Sequence, residues 1–300
     1  MDMTQNKCCR HGANLRRRRR RRRKILRSII FSCSIIAVAV FVAVGSRMIT
    51  SGDGGTNKYD VEAGNNTYDN AVIENSKISE KNKIQNNQSM LDDIMNSTQY
   101  PKQLKDLALK NEEALEFVYD YPTEHVKEHT IDLTEEASMD SVPLFVQWDK
   151  RWGYEKYSGN FFAASGCGPT TLSMVVVYLT HNRDASPLAV AKYSKEAGYS
   201  VDGSGSSWTL ISEGCMHYGV KAKAVALDES RMKAELDEGH PIVVNVGPGD
   251  FTDTGHFMVI TGYDDEGFSI NDPNSIEKSG KRWLFKNISS QIRAVWSMYV

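Results

Sequence analysis

One cysteine of the chain stands where a nucleophile would be expected. Cys167 lies between Gly166 and Gly168, and Pro169 and the apolar run "TTLSMVVVYL" follow. Proline suits the first turn of a helix because it has no N–H to donate, so the pattern predicts a helix that begins at the cysteine. A helix N-terminus stabilises a thiolate, and the Cys167 N–H can donate to an oxyanion. The alternative is a small buried residue ahead of a helix.

A thiolate nucleophile needs a base, and His256 is the best candidate. It follows Gly255 and opens the apolar stretch "HFMVITGY", which predicts a strand that would hold the ring rigidly. A core histidine with satisfied hydrogen bonds is the alternative for His256, and His217 is the alternative base. The other histidines after the apolar N-terminal segment lie in a polar linker, at a helix end or before a proline: His125, His129, His181 and His240.

Two further polar residues complete a candidate site. Asp272 ends the next predicted strand, and the hairpin "HFMVITGYDDEGFSIND" would bring it to His256, whose ring it could orient. Asp272-Pro273 is otherwise a turn signal. Gln147, in "VPLFVQWDKRWG", offers a side-chain amide as second oxyanion donor, unless it is a surface residue.

The elements around these residues predict an α+β domain over 142–300. Helical patterns come first, and period-two strand patterns bounded by turn residues come second. A helical half packed on an antiparallel sheet follows from this order. Trp208 lies where a loop becomes a helix, at a predicted substrate rim or else in the core. The predicted helices are "TTLSMVVVYLT", "PLAVAKYSKEAG", "SSWTLISEGCMHYG" and "RMKAELDEGH", and the predicted strands are "PIVVNVG", "HFMVITGYD", "GFSIND" and "KRWLF".

The N-terminal part of the chain predicts a membrane anchor. Residues 1–27 carry twelve of the 36 Lys and Arg but one of the 38 acidic residues, and residues 28–45 carry no charge. A basic tail before an apolar span predicts a cytoplasmic N-terminus. A cleaved signal peptide is the alternative. The arginine run is interpreted as a topology and lipid-headgroup signal rather than a nucleic-acid site.

A stalk and a helical linker are predicted between anchor and domain. Residues 46–97 are polar and without apolar period, which predicts a disordered stalk. Residues 98–141 contain Leu104, Leu107, Leu115 and Val118 at helical spacing, which predicts one or two short amphipathic helices between Pro101 and Pro122. This segment would be a packing collar for the domain, or alternatively an occluding pro-segment.

The cysteines and motifs exclude several classes of protein. Two of the five cysteines, Cys167 and Cys215, follow the apolar span, which is no disulfide framework. The short "CCRH" near the N-terminus is no convincing metal site, and the chain has no G-x-x-x-x-G-K-[ST] motif, so no ATPase domain is predicted. The other three cysteines are Cys8, Cys9 and Cys33.

The chain resembles the C39-like cysteine peptidases of the papain-like superfamily over about residues 142–300. The features that carry this resemblance are, in chain order, Gln147, "SGCGPTT", "TGHFMVITGY" and "NDP". The resemblance implies a papain-like fold and a Cys-His-Asp triad, without metal or organic cofactor. Cys167 would be the nucleophile, His256 the base and Asp272 the orienting acid, with Gln147 at the oxyanion. The residues expected to contact substrate are Gly166, Gly168, Trp208 and Gly255.

The sequence therefore predicts a cysteine peptidase anchored in the plasma membrane, with its C-terminal domain extracellular. Its partners would be a peptide or protein substrate and the membrane, and no nucleic acid. Two alternatives stay open: a thiol amidase or acyl-transfer enzyme acting on cell-wall peptides, and a non-catalytic peptide-binding module.

Overall fold

The structure, a computed structural model, describes residues 67–300. The predicted basic tail (1–27), the predicted anchor (28–45) and the stalk up to residue 66 lie outside the described residues. Within 67–300, no helix has both the length and the apolar character needed to cross a membrane.

Residues 67–96 of the predicted stalk are helical, where the sequence predicted disorder. Helix α1 spans Thr67–Asn96. The stretch contains neither Gly nor Pro, the two residues that most disfavour a helix interior. Near its end, Ile94 is fully buried and Met90 and Leu91 pack beside it. The polar composition concealed this apolar end, whose burial against other segments stabilises the helix.

The predicted linker is a series of short helices that pack on the domain. Its four predicted apolar residues, Leu104, Leu107, Leu115 and Val118, are all buried in one cluster with Phe161 and Ala163 of the domain. The linker therefore packs on the domain, and it has more helical segments than predicted. The segments are α2 (Lys102–Lys110), a 3₁₀ turn (Glu112–Ala114), α3 (Leu115–Tyr119), α4 (Tyr121–Glu124) and α5 (Thr134–Ser138).

The helical half of the domain is built around one buried helix. A small hairpin, β1 (Lys156–Tyr157) and β2 (Asn160–Phe161), leads into α6 (Phe162–Ser165) and then α7 (Cys167–Thr180). Residues 168–177 of α7 are all buried, as expected of a helix that is apolar on every side. Helix α8 (Pro187–Glu196) packs beside it and begins as predicted, with the Ser186 side chain accepting from an N–H of its first turn.

The third predicted helix, "SSWTLISEGCMHYG", is two short pieces. After the hairpin of β3 (Ser200–Val201) and β4 (Gly205–Ser206), α9 covers Thr209–Ser212 and a 3₁₀ turn covers Gly214–Tyr218. A Cβ at Gly214 would lie 3.0 Å from the Tyr199 ring, so a glycine favours this close packing where the helix breaks.

A six-stranded antiparallel sheet forms the other half, in the order β5-β10-β6-β7-β8-β9. Three predicted strands are present, but the predicted strand "KRWLF" is reduced to two residues because the chain turns into a helix after Leu284. Strands β5 and β10 were not predicted. The elements are β5 (Lys221–Ala224), α10 (Glu229–Asp237), β6 (Ile242–Val246), β7 (His256–Asp264), β8 (Gly267–Asn271), α11 (Ile276–Ser279), β9 (Arg282–Trp283), α12 (Phe285–Ile288) and β10 (Ile292–Tyr299).

Both faces of the sheet are covered. On one face Phe257 and Val259 belong to the core that α7 and α8 form. On the other, Met258 and Ile260 join Met232 of α10 in a second cluster. Alternate residues of β7 thus face opposite cores, which confirms the predicted α+β class of helices packed on an antiparallel sheet.

Candidate active site

The sulfur of Cys167 lies at the first residue of α7. Gly166 precedes the helix and Pro169 falls in its first turn, as the sequence predicts. The backbone N–H groups of Gly168 and Phe257 lower the pKa of the thiol, and the residue is partly exposed. The thiol therefore stands where a helix end and a neighbouring strand each supply a donor for a thiolate.

The two flanking glycines are required by packing. A Cβ at Gly166 would lie 2.5 Å from the Phe162 ring, and one at Gly168 would lie 2.5 Å from Oγ of Ser206. Their lack of side chains thus lets the start of α7 lie tightly against α6 and β4. A contact of either glycine with a substrate stays a prediction.

His256 is held at the first residue of β7, where it is buried. The side-chain amide of Asn245 on the adjacent strand donates to the His256 carbonyl at 3.2 Å. The ring interacts with the Cys167 thiol and lowers its pKa, and its Nε2 lies 2.7 Å from Oδ1 of Asp272. The imidazole therefore lies between a thiol and a carboxylate.

Asp272 follows β8 directly and is fully buried. The same Oδ1 accepts from the backbone N–H of Asn274 at 2.8 Å. Its Oδ2 is buried and has no hydrogen-bond partner among the described residues. A buried carboxylate with an unpaired oxygen is costly, so a positive charge on the adjacent His256 is favoured.

The pKa values of the thiol and the imidazole move in opposite directions. Burial by itself raises the pKa of Cys167, but the hydrogen bond and charge of His256, with the two backbone N–H donors, outweigh it and hold the pKa below its usual range. Burial by itself lowers the pKa of His256, and the charge and hydrogen bonds of Asp272 and Cys167 outweigh it and raise the pKa. A thiolate–imidazolium pair is the form that these shifts favour.

Gln147 is buried near this cluster, bonded to residues around it. Its backbone N–H donates to the Pro273 carbonyl at 2.7 Å. Its Nε2 donates to the Ala163 carbonyl at 2.8 Å and to Oδ1 of Asn274 at 3.3 Å. The side chain thus links the segment before Cys167 to the segment after Asp272, so it is no surface residue.

The remaining candidate residues are more dispersed. The Trp208 side chain is 48% exposed and packs edge-on against Trp296, so it belongs to the surface rather than the core. Gly255 is exposed, with open space where a side chain would be. The exposed His217 ring stacks on Tyr193.

Cys215 contrasts with Cys167. It is fully buried, and burial raises the pKa of its thiol to about 11. Neither cysteine is in a disulfide. In the described range 67–300, no group of three or more His, Cys, Asp and Glu side chains could hold a metal ion.

Four residues that contact the site were not anticipated from the sequence. Asn274 could have been suspected, since an Asn two positions after an Asp-Pro turn can bond within that turn. Asn245 lies inside an apolar strand, where a lone polar residue is a weak signal. No local pattern points to Asn111 and Glu113, which bond the loop after Asp272 from far away in the chain.

The fold and the site define an α+β protein in which an imidazole interacts with a thiol and is bonded to a buried carboxylate. The Peptidase_C39 like family model matches residues 139–300, more than half of the chain. The chain therefore belongs to the Peptidase_C39 like family, which confirms the resemblance found in its motifs and suggests a cysteine peptidase.

Two solved structures are similar to the chain. One is the peptidase domain of Streptococcus ComA, a bi-functional ABC transporter involved in a quorum sensing pathway; it is 19% identical, the match covers 53% of this chain and 96% of that one, and the TM-score is 0.38. The other is described as a C39-like peptidase from Bacillus anthracis; it is 18% identical, with 53% and 95% covered and a TM-score of 0.33. No curated protein matches the chain.

Proposed function

We propose that this protein is a papain-like cysteine peptidase in which Cys167 is the nucleophile, His256 the general base and Asp272 the residue that orients the imidazole. The observation that carries the proposal is that His256 meets the buried Asp272 at 2.7 Å through Nε2 and interacts with the Cys167 thiol as well. Membership of a peptidase-like family supports peptide bonds as the target.

The reaction would begin from the thiolate–imidazolium pair. The Cys167 sulfur attacks the peptide carbonyl carbon, and the carbonyl oxygen becomes an oxyanion close to the Cys167 N–H. His256 then gives its proton to the leaving amine, and a thioester joins the acyl group to the sulfur. Water, deprotonated by His256, attacks the thioester, releases the acyl group as a carboxylic acid and restores the thiolate–imidazolium pair. Asp272 stabilises the imidazolium in each step.

Gln147 is proposed as the second oxyanion donor. Both hydrogens of its Nε2 have acceptors, at 2.8 Å on the Ala163 carbonyl and at 3.3 Å on Asn274. The longer bond is the weaker one, so the hydrogen directed at Asn274 is the one that a developing oxyanion would recruit.

The substrate would lie over the start of α7. Ser206 borders Gly168 there, and Trp208 follows two residues later with half of its ring exposed. We propose that Trp208 forms one rim of the cleft and packs on a substrate side chain, while Gly166, Gly168 and Gly255 let the peptide backbone come close.

Membrane attachment is part of the same proposal. The uncharged residues 28–45 after an arginine-rich tail support an anchor with a cytoplasmic N-terminus and an extracellular domain. Protease added to intact cells should release the domain and leave the N-terminal 45 residues with the membrane. Protection of the domain in intact cells, with digestion only after lysis, would contradict this placement.

The activity is tested by digesting a peptide library with the purified full chain and mapping the new termini by mass spectrometry. Cys167→Ala is the matched control, because it removes only the sulfur. We expect new peptide termini that the control does not produce. Cleavage by the control, or release of side-chain amides without backbone cleavage, would overturn the peptidase proposal.

A further inference from the structure

The loop after β8 fixes the orientation of the carboxylate that faces His256. Asp272, Pro273, Asn274 and Ser275 connect β8 to α11. The backbone N–H of Asn274 donates at 2.8 Å to the same Oδ1 of Asp272 that lies 2.7 Å from His256 Nε2. A displacement of Asn274 would therefore turn the carboxylate away from the imidazole.

Asn111 of the collar bonds Asn274 twice. Its Nδ2 donates to the Asn274 carbonyl at 2.9 Å and to Asn274 Oδ1 at 3.1 Å. Its own Oδ1 accepts from the backbone N–H of Glu113 at 3.0 Å, which fixes which way the amide points. The side chain thus presents its donor to the loop in a single orientation.

Glu113 bonds the last residue of the loop, Ser275, and the first two residues of α11. One carboxylate oxygen accepts from Oγ of Ser275, and the other accepts from the N–H groups of Ile276 at 2.7 Å and Glu277 at 3.1 Å. These are N–H groups at the start of α11, which have no partner inside the helix. Hydrogen bonds to an ionised carboxylate are about twice as strong as neutral ones, so Glu113 holds this end of the loop firmly.

The part of the collar that carries these two side chains is itself anchored by packing. Leu107, Ala114 and Leu115, on either side, are buried in the cluster that includes Phe161 and Ala163 of the domain. Glu112, next in sequence, is exposed and accepts instead from Asn87 of α1 at 2.8 Å. Two neighbouring carboxylates thus have separate partners, and only Glu113 contacts the Asp272 loop.

We propose that Asn111 and Glu113 are positioning residues of the Cys167–His256–Asp272 site, so that the collar assembles the site rather than occluding it. Both residues precede the region 139–300 that the family model matches, and so this support comes from outside the family's domain. The inference rests on the proposed function for its catalytic meaning, but its test reads the thiol directly.

The test is the pH dependence of Cys167 alkylation by iodoacetamide in the full chain, resolved by mass spectrometry of the labelled peptides. Three titratable groups surround the Cys167 thiol. His256 lowers the pKa of the thiol, and Asp272 raises the pKa of His256. The Tyr157 hydroxyl also lies close, and it is bonded to Ser194 and Ser206. Because the Asn111 and Glu113 side chains bond this set only through the Asp272 loop, a loosened loop should move the alkylation midpoint upwards.

Three variants separate the contacts. Asn111→Asp keeps the oxygen that accepts from Glu113 but replaces the donor to Asn274; Glu113→Gln removes the charge at nearly constant size; Glu112→Gln is the matched control. For the first two, we expect the midpoint to rise by roughly one pH unit, which is about tenfold in rate on the acid side, as the loss of one hydrogen bond would give. The control should keep the midpoint of the unchanged chain.

A melting temperature that falls with an unchanged midpoint would overturn the proposal, because that is the result of a merely structural role. If Glu113→Gln does not fold, Ser275→Ala removes the hydroxyl that donates to Glu113. We then expect a smaller rise of the alkylation midpoint, and an unchanged midpoint would again overturn the proposal. A shifted midpoint in a chain that cleaves no peptide would support the positioning role and contradict the peptidase. Peptide cleavage with an unmoved alkylation midpoint in every variant would support the peptidase and contradict the positioning role.

Discussion

The two ends of the site are built in different ways. At the start of α7, Cys167, Gly166 and Pro169 are neighbours in sequence, and the helix end itself supplies a donor to the sulfur. At the end of β8, the loop of Asp272 is bonded by Asn111, Glu113 and Gln147, which lie more than a hundred residues away in sequence. The position of the Cys167 thiol thus depends on local structure, whereas the Asp272 carboxylate depends on packing between distant segments.

This difference indicates which end of the site is more easily disturbed by substitutions elsewhere in the chain. A helix N-terminus retains its dipole and free N–H groups as long as the helix exists, and residues 168–177 of α7 are all buried. A loop keeps its geometry only while its partners hold it. Substitutions remote from the sulfur should therefore act mainly through Asp272, and each prediction below measures one end of the site against the other.

The largest effect should come from removing the nucleophile or its base. Cys167→Ala and His256→Ala should each lower kcat on a cleaved peptide by roughly 10⁶-fold, the scale for groups that act as a unit. The double variant should be little worse than either single one. Steady-state kinetics with an identified substrate measures this. Loss of activity in His217→Ala but not in His256→Ala would assign the base differently and break the comparison.

Removing the charge of Asp272 should cost less. Asp272→Asn keeps an oxygen that can accept from the imidazole, so we expect a loss of roughly 10³-fold, below the approximately 10⁴-fold known for the equivalent change in a serine triad. The negative charge raises the pKa of His256. Without it, the alkaline limb of the kcat/KM profile should move to lower pH. An unmoved limb would mean that Asp272 does not hold the imidazolium.

Substitution of Gln147 tests whether one residue contributes to both the Cys167 end and the Asp272 end of the site. Gln147→Ala removes one proposed oxyanion donor, and we expect a loss of about 10²-fold, mostly in kcat. The same change also cuts the link from Ala163 to Asn274. A normal alkylation midpoint of Cys167 in this variant would locate the loss in the oxyanion, while a raised midpoint would locate it in the Asp272 loop.

The two cysteines offer a comparison within one sample. Cys215 is fully buried and its pKa is raised to about 11, whereas the pKa of Cys167 is lowered. At neutral pH we expect iodoacetamide to label Cys167 at least about 10²-fold faster, since a difference of two pKa units changes the thiolate fraction that much. Comparable rates in the folded chain would show that the start of α7 does not activate its thiol.

The smallest effect should come from the proposed rim. Trp208→Ala removes a half-exposed ring that packs on Trp296. We expect KM to rise by roughly three- to tenfold with kcat nearly unchanged, the size of one aromatic contact. The neighbouring Ser207→Ala is a suitable control. A fall in kcat without a change in KM would show that Trp208 acts on the site and not on the substrate.

The α+β class, the helix that begins at Cys167 and the hairpin of β7 and β8 could be predicted from the sequence. Each rests on a short-range signal: a proline in a first turn, an apolar helix of fourteen residues, or alternation along a strand. The hairpin alone was enough to expect His256 beside Asp272, because antiparallel strands joined by a turn bring their far ends together.

The helical half of the stalk, the strands β5 and β10 and the partners of Gln147 were decided by tertiary structure. Strand β10 lies between β5 and β6 although it is the last element of the chain. The sequences of β5 and β6 contain no pattern that indicates this pairing. The hydrogen bonds of Asn111 and Glu113 with the Asp272 loop join residues about 160 positions apart. Such contacts depend on two surfaces meeting after the helices and strands have formed, so the order of residues along the chain does not reveal them.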